Sequence, residues 1–423
     1  MDARKIETIL TEQKEELKHL LTQSFCHRNE EKLVDMNSQL AQVITGIRRC
    51  GKSTLCINVL RTYEKPFAYL NFDDERFSNI NADDLNDILG GLYKVYGDFD
   101  CLFIDEIQNV DAWYLFVNRL LRSGMHLLIT GSNSKLLSSE LATHLTGRNH
   151  QIELFPFSFS EYCNYKNIDT HTLTTKTIAF LRTAFDDYTK TGGFPELLMG
   201  EQSEPYIGSL IDNIVQRDIV QRFGIRNKKL FADITNHLLN SAPMTIVYKR
   251  IQNQFEIASN HTAENYVNYL QQAYLIVLIG KYSAKSHIRI RNEKCYPIDV
   301  SFMNNRLNAF SGENVGWRLE TIVGIHLVRR MHNSYKDVYY YADQHCEADF
   351  VVCNRNVVEM IVQVCYDISA TKTLEREIAG LLRTSAALHC DNLWLITDHE
   401  NKIIERKEKS ITVMPAYAWL SNE

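Results

Sequence analysis

The sequence predicts an α/β fold whose core is a parallel sheet with helices on both faces. Three observations predict it. Gly46-Ile47-Arg48-Arg49-Cys50-Gly51-Lys52-Ser53 spells G-x-x-x-x-G-K-S directly after the apolar pair Val43 and Ile44. Cys101-Leu102-Phe103-Ile104-Asp105-Glu106 is a short apolar run that ends in two carboxylates. Around these motifs strand-like and helix-like segments alternate, as in a sheet with helices on both faces and its ligand site at the carboxyl ends of the strands.

The elements follow in order. Met1 to about Glu31 carries Ile6, Ile9, Leu10, Leu17, Leu20 and Leu21 at helical spacing with few breakers; it predicts an amino-terminal helix (1–31) leading into a core over 32–160. In the P-loop, glycines let successive backbone N–H groups turn inward around phosphates, Lys52 brings a point charge to the β- and γ-phosphates, and the Ser53 hydroxyl can coordinate Mg²⁺. Gly46, Ile47, Arg48, Arg49, Cys50, Gly51, Lys52, Ser53 and Thr54 are therefore the candidate nucleotide-binding residues. Thr54 to Leu60 continues with helical spacing, so a helix amino terminus faces the anion. The plain alternative is a coincidental glycine turn. Pro66 to Phe72 reads as a strand followed by the acidic run Asp73-Asp74-Glu75, Asp83 to Tyr93 as a helix, and Leu102 to Ile104 as a buried strand. That strand delivers Asp105 to the Mg²⁺ shell and Glu106 as the base that polarises the attacking water. Trp113 to Leu121 is helical, and His126 to Gly131 is a further strand.

At 423 residues the chain predicts two or three domains. A net charge of −6 and a pI near 6.2 supply no global attraction to nucleic acid, so any such binding must come from a local basic face. Ten cysteines stand without C-x-x-C pairs or zinc spacing, and no secretory signal opens the chain, which fits a reduced, cytoplasmic setting. No apolar segment approaches the roughly 20 residues that span a bilayer, so no membrane partner is expected.

With these motifs in hand, the sequence resembles a bacterial and archaeal family of AAA-type ATPases. The resemblance rests on Asp105-Glu106-Ile107-Gln108, Thr130 to Ser134, Leu145 to Arg148, Pro156-Phe157-Ser158-Phe159 and Gly192-Gly193-Phe194-Pro195, and it covers nearly the whole chain. It implies a P-loop parallel-sheet ATPase core, a helical lid (161–225) carrying the G-G-F-P turn, a winged-helix-like segment (226–300) and a carboxyl-terminal α/β domain (301–423) similar to PD-(D/E)xK nucleases. In AAA-type ATPases a polar residue at the end of the strand between the P-loop and acidic strands orients water or senses the γ-phosphate; Ser132 or Asn133 would serve. Either also suits a plain helix N-cap. Arg148 could reach a neighbour's γ-phosphate, which would imply a homo-oligomer; a solvated or ion-paired arginine is the alternative. The implied activity is Mg²⁺-dependent ATP hydrolysis.

Read from the residues, Lys229 to Leu239, Thr245 to Phe255 and Thr262 to Ala273 are three short helices, followed by an apolar run to Ile279 and a hairpin from His287 to Pro297. Lys281, Lys285, Arg289, Arg291 and Lys294 would line this wing. Phosphate contacts by such residues would make DNA a partner in a salt-sensitive manner, while a protein-docking role stays open. Further on, Glu320 and Asp349 fit the first two places of the nuclease pattern, but Gln363-Val364-Cys365 lacks the second carboxylate and the lysine. Glu359 is the one candidate to compensate. The expectation is a nuclease-like fold kept for binding or assembly.

Overall fold

The computed structural model describes residues 2–132, 145, 147–172, 174–200, 203–283, 292–304, 314–332, 334, 336–344 and 346–421. They form two compact units, Met1–Leu154 and Phe155–Glu423.

The first unit is a five-stranded parallel sheet. β1 (Ala41–Thr45), β2 (Phe67–Asn71), β3 (Cys101–Asp105), β4 (His126–Gly131) and β5 (Asn149–Glu153) stand in the order β2-β3-β4-β1-β5. β1 and β3 are buried along their whole length, which is why Val43-Ile44 and Cys101 to Ile104 read as continuous apolar runs rather than as alternation. Between the strands run α2 (Lys52–Arg61), α3 (Leu85–Tyr96) and α4 (Trp113–Arg122). The order inserts β4 between β1 and β3, so the end of β4 lies between the P-loop and the acid-bearing strand.

The amino-terminal helix α1 (Ala3–Thr22) is shorter than its periodicity suggests. Its last carbonyls, Leu20 and Leu21, accept from the Arg61 guanidinium, which stops the helix where a basic side chain can satisfy it. Ile6, Ile9 and Leu10 belong to the core of this unit. Gln13 exchanges hydrogen bonds of 3.0 Å with both the N–H and the C=O of Asn71, covering the end of the edge strand β2. Gly91 on α3 permits the close approach, since a β-carbon there would stand 2.9 Å from both Ile6 and Leu10. β5 was not legible in the sequence: Asn149-His150-Gln151-Ile152-Glu153 buries only Ile152, as an edge strand does.

The second unit contains α5 (Phe159–Tyr165), α6 (Thr175–Thr191), α7 (Ser203–Asn213), α8 (Lys228–Ser241), α9 (Tyr248–Gln254) and α10 (Asn260–Gln272). An antiparallel sheet of β6 (Met244–Thr245), β8 (Glu293–Pro297) and β7 (Ile276–Gly280) follows. After α11 (Val315–His332), a six-stranded mixed sheet takes the order β13-β14-β12-β11-β10-β9. Its strands are β9 (Asp337–Ala342), β10 (Glu347–Asn354), β11 (Val357–Val364), β12 (Leu393–Thr397), β13 (Lys402–Arg406) and β14 (Lys409–Pro415), with α12 (Thr371–Leu388) and α13 (Ala416–Ser421) beside them. The last two strands and α13 extend the expected α/β order.

The P-F-S-F and G-G-F-P motifs meet here. Phe157 N–H donates to Gly193 O at 2.7 Å, and Gly193 N–H donates to Asp299 Oδ2 at 2.9 Å. A β-carbon on Gly193 would lie 2.1 Å from Phe157 O, so no other residue fits. Ser158 and Glu161 form a capping box for α5, and Glu161 is paired at 2.5 Å with the buried Arg329, which also donates to Pro156 O. All ten cysteines are free thiols. Among the described residues no helix is long and apolar enough to cross a membrane.

His326 on α11 is buried 4.9 Å from Trp419, and burial, then the charges of Arg330 and Arg329, push its pKa from 6.5 down to about 3. The folded chain therefore refuses a proton that the unfolded chain accepts below 6.5, and stability present above that value is lost as pH falls toward 3. His326→Phe, which keeps a ring against Trp419, is expected to lose less of its thermal midpoint between pH 7 and pH 4.5 than the wild type, read by calorimetry; equal losses would exclude His326 as the acid-sensitive group.

Candidate functional site

The site lies at the carboxyl edge of the first sheet, where β1 runs into the P-loop. Three loop residues take positive φ, Gly46 at 153°, Arg49 at 69° and Gly51 at 98°. Gly46 is packed so tightly that a β-carbon would lie 2.1 Å from Leu154 O. Lys52 opens α2 and folds back over the loop, donating to Ile47 O at 3.2 Å. The Cys50 thiol donates to Leu154 O at 3.4 Å, and Arg28 donates to Cys50 O at 2.9 Å. In a trans peptide the carbonyl and the following N–H point to opposite sides. Capture of Cys50 O by Arg28 thus turns the Gly51 N–H away from Arg28.

Asp105 ends β3 beside Ser53, whose hydroxyl donates to Asp105 Oδ1 at 2.9 Å. Thr130 on β4 donates to the same oxygen, and Tyr69 OH stands 3.5 Å from Oδ2. The Thr130 hydroxyl oxygen in turn accepts the Glu106 N–H at 3.0 Å, so one threonine fixes both acids. Glu106 sits in left-handed backbone at φ 54°, a conformation that turns its side chain out of the strand's alternation. Its carboxylate stands 3.6 Å from Lys52 Nζ and accepts from Gln108. Gln108 also donates to Ser132 Oγ at 3.2 Å.

Electrostatics separate the two acids. Burial, and then repulsion from Glu106, push Asp105 up to about 6, with Thr130, Ser53 and Lys52 working the other way. Burial acts on Glu106 in the same direction, but Lys52, Gln108, Arg48 and Ser132 outweigh it and hold this carboxyl below its ordinary value. Lys52 is held above its ordinary value because Glu106, Cys50 and Asp105 outweigh its burial. A hydroxyl beside a carboxylate is a hard oxygen pair of the kind Mg²⁺ accepts, so Ser53 and Asp105 can hold that ion. Lys52 and the loop N–H groups can hold phosphates.

The structure therefore brings Lys52, Ser53, Asp105, Glu106 and Ser132 together. Asn133 lies outside the described residues. Arg148 is not brought in: its carbonyl accepts the Ala41 N–H at the amino end of β1, the end away from the P-loop. The five residues of β1, at about 3.3 Å each, lie between. The Arg148 side chain is exposed and within 3.4 Å of Asn118. Thr130, Tyr69, Gln108 and Arg28 are the site residues that motif reading missed. Thr130 and Gln108 stand inside motifs already noted, whereas Arg28 carries no local signal.

The wing also needs correction. Lys285, Arg289 and Arg291 lie outside the described residues, and Lys294 is nearly buried against Glu320 rather than offered to solvent. Glu359 does not join Gln363, because it is engaged by Lys336 at 2.6 Å and by Asn354 at 2.9 Å.

Comparison with known proteins places the chain in a family. The AAA domain family matches residues 38–163, and a domain of unknown function matches residues 182–313. An uncharacterized protein of Methanocaldococcus jannaschii is 35% identical over 393 residues, spanning 89% of this chain and 87% of that one. An uncharacterized protein of Haemophilus influenzae is 30% identical over 315 residues, spanning 70% of this chain and 76% of that one. Among solved structures, a signal transduction ATPase with numerous domains and a tetratricopeptide repeat sensor from Pyrococcus horikoshii aligns with 72% of this chain at 15% identity and a TM-score of 0.28. The alignment spans 46% of that protein. A RuvB mutant from Thermotoga maritima aligns with 62% of this chain and 88% of its own, at 16% identity and a TM-score of 0.30. Cdc6p from Pyrobaculum aerophilum aligns with 65% of this chain and 92% of its own, at 13% identity and a TM-score of 0.26.

The fold and site define an AAA-type P-loop protein. The chain belongs to the family of the Methanocaldococcus jannaschii protein.

Two substitutions test the loop's construction through binding of a fluorescent ATP analogue. Gly46→Ala is expected to abolish binding, because its β-carbon would collide with backbone. Arg28→Met is expected to weaken binding about tenfold while the melting transition stays cooperative; unchanged affinity would show that Cys50 O needs no such anchor.

Proposed function

We propose that this protein hydrolyses ATP with Mg²⁺ as cofactor. The observation that carries the proposal is the Ser53–Asp105 hydrogen bond at 2.9 Å, which joins the P-loop hydroxyl to the acidic strand at the point where a phosphate-bound cation belongs. Mg²⁺, when bound, supplies charge neutralisation at the β- and γ-phosphate oxygens. Ser53 and Asp105 would hold it. Lys52 leaves Glu106 to meet the phosphates, and Glu106 accepts the proton of the attacking water. In the resting site Lys52 and Gln108 hold Glu106 ionised, and departure of Lys52 makes it the stronger base that task needs. Ser132, tied to Glu106 through Gln108, senses the γ-phosphate end of the site. Arg148, at the far end of β1, would act only in a neighbouring subunit, so its use requires a homo-oligomer.

A nucleotide-gated switch with slow hydrolysis is the second reading. It is favoured by the Glu106 carboxylate being engaged by both Lys52 and Gln108, contacts that must be exchanged before turnover. For the partner, three helices followed by the β7–β8 hairpin support a winged-helix reading of residues 226–300 and, with it, DNA or a DNA-associated protein.

Steady-state Mg²⁺-ATP hydrolysis, alone and with single-stranded, duplex and branched DNA at two salt concentrations, tests the proposal. Lys52→Ala is expected to abolish turnover, and normal turnover would sink the P-loop assignment. Glu106→Gln is expected to retain ATP while slowing hydrolysis by roughly 10²-fold or more. Stimulation by DNA that fades with salt would support a DNA-directed machine; indifference to every DNA would favour a protein-directed one.

A further inference from the structure

Lys294 lies on β8 two residues before Tyr296, so the two side chains leave the same face of the strand. Both reach one atom. Lys294 Nζ donates to Glu320 Oε1 at 2.6 Å, and the Tyr296 hydroxyl donates to the same oxygen at 2.8 Å. The ammonium also stands 3.9 Å from Asp349 Oδ1. Asp349 Oδ2 accepts the Val364 N–H at 2.9 Å, and the Asp349 N–H donates to Gln363 Oε1 at 3.3 Å. The three charged side chains are 12%, 14% and 10% exposed for Lys294, Glu320 and Asp349.

Two carboxylates drawn this far out of water repel each other and lose hydration, so a positive charge must stand between them or a proton must be taken up. Glu347 adds to the negative field at the same place. A divalent cation of the Mg²⁺ or Ca²⁺ type demands about six oxygens. Here Glu320 Oε1 is used by Lys294 and Tyr296, Asp349 Oδ2 by a backbone N–H, and Gln363 Oε1 by another. An ammonium needs no such shell: it donates to Glu320 at 2.6 Å and faces Asp349 across 3.9 Å.

We propose that Lys294 is the resident cation of the Glu320–Asp349 pair. Its single positive charge occupies the place a divalent ion would take, keeps such an ion out, and fastens β8 to α11 and β10. The positive charge missing at Cys365 is thus supplied from a strand outside the six-stranded sheet, in a form paired with Glu320 instead of leaving both acids to a metal. This end of the protein is a fixed joint and not a nucleolytic centre, and the assignment is independent of ATP turnover.

Mn²⁺ titration of the nucleotide-free full chain, followed by electron paramagnetic resonance, tests it in wild type and Asp349→Asn. Both are expected to take up the same number of ions. An ion present in wild type and lost in Asp349→Asn would overturn the proposal. The companion measurement is thermal. Lys294→Met is expected to lower the midpoint by about 5 °C or more. Lys294→Met with Glu320→Gln is expected to regain part of that loss, because the uncompensated charge is then gone. An unchanged midpoint in Lys294→Met would equally overturn it. Should Lys294→Met yield no folded protein, the Mn²⁺ comparison, which keeps the lysine, still decides.

Discussion

The first unit depends on the hydrogen-bonded trio of Ser53, Asp105 and Thr130 at the carboxyl edge of its sheet. These residues come from α2, β3 and β4, and only the strand order β3-β4-β1 brings them to one point. Thr130 is the pivot, since its single oxygen donates to Asp105 and accepts from the Glu106 backbone. A buried carboxylate surrounded by hydroxyls is costly to desolvate, and each hydrogen bond it accepts offsets part of that cost. The unit thus spends folding stability on a pair of acids with different proton affinities. Asp105 is raised by burial, and Glu106 is lowered by Lys52, Gln108 and Arg48.

The second unit is held by a different device, buried polar groups that close on backbone. Asp299 accepts the N–H groups of Gly193 and Ser301, and Arg329 bridges Glu161 and the Pro156 carbonyl. Breaking one partner of a buried ion pair costs about 3–5 kcal/mol, because the other charge is left without compensation. Such pairs favour one arrangement of the chain over its alternatives. The same logic governs Lys294, Glu320 and Asp349, where three separate elements supply one cluster with a lysine between two acids.

Much of the first unit was legible in the chain. The P-loop and the Cys101–Glu106 strand announce themselves because their chemistry needs fixed residue types at fixed local spacing. α3 and α4 follow from apolar periodicity to within two or three residues at either end. β5 escaped notice because an edge strand buries little and carries little apolar signal. Arg28 escaped because its partner, the Cys50 carbonyl, is 22 residues away and is a backbone atom with no side-chain identity. Lys294 was misread for a related reason. A lysine near other basic residues looks like part of a solvated face until the carboxylates that fold against it are known.

By itself the sequence determined the local chemistry: which loop can cradle phosphate and which strand ends in acids. These follow from covalent geometry and short-range spacing, which no later packing alters. Only the tertiary structure decided partnership. It set Asp105 against Ser53, tied Ser132 to Glu106 through Gln108, carried Arg148 to the opposite end of β1, and turned Lys294 inward. Partnership is a matter of register and burial between segments far apart in the chain, and a charge has no meaning for function until its surroundings show whether it is neutralised or exposed.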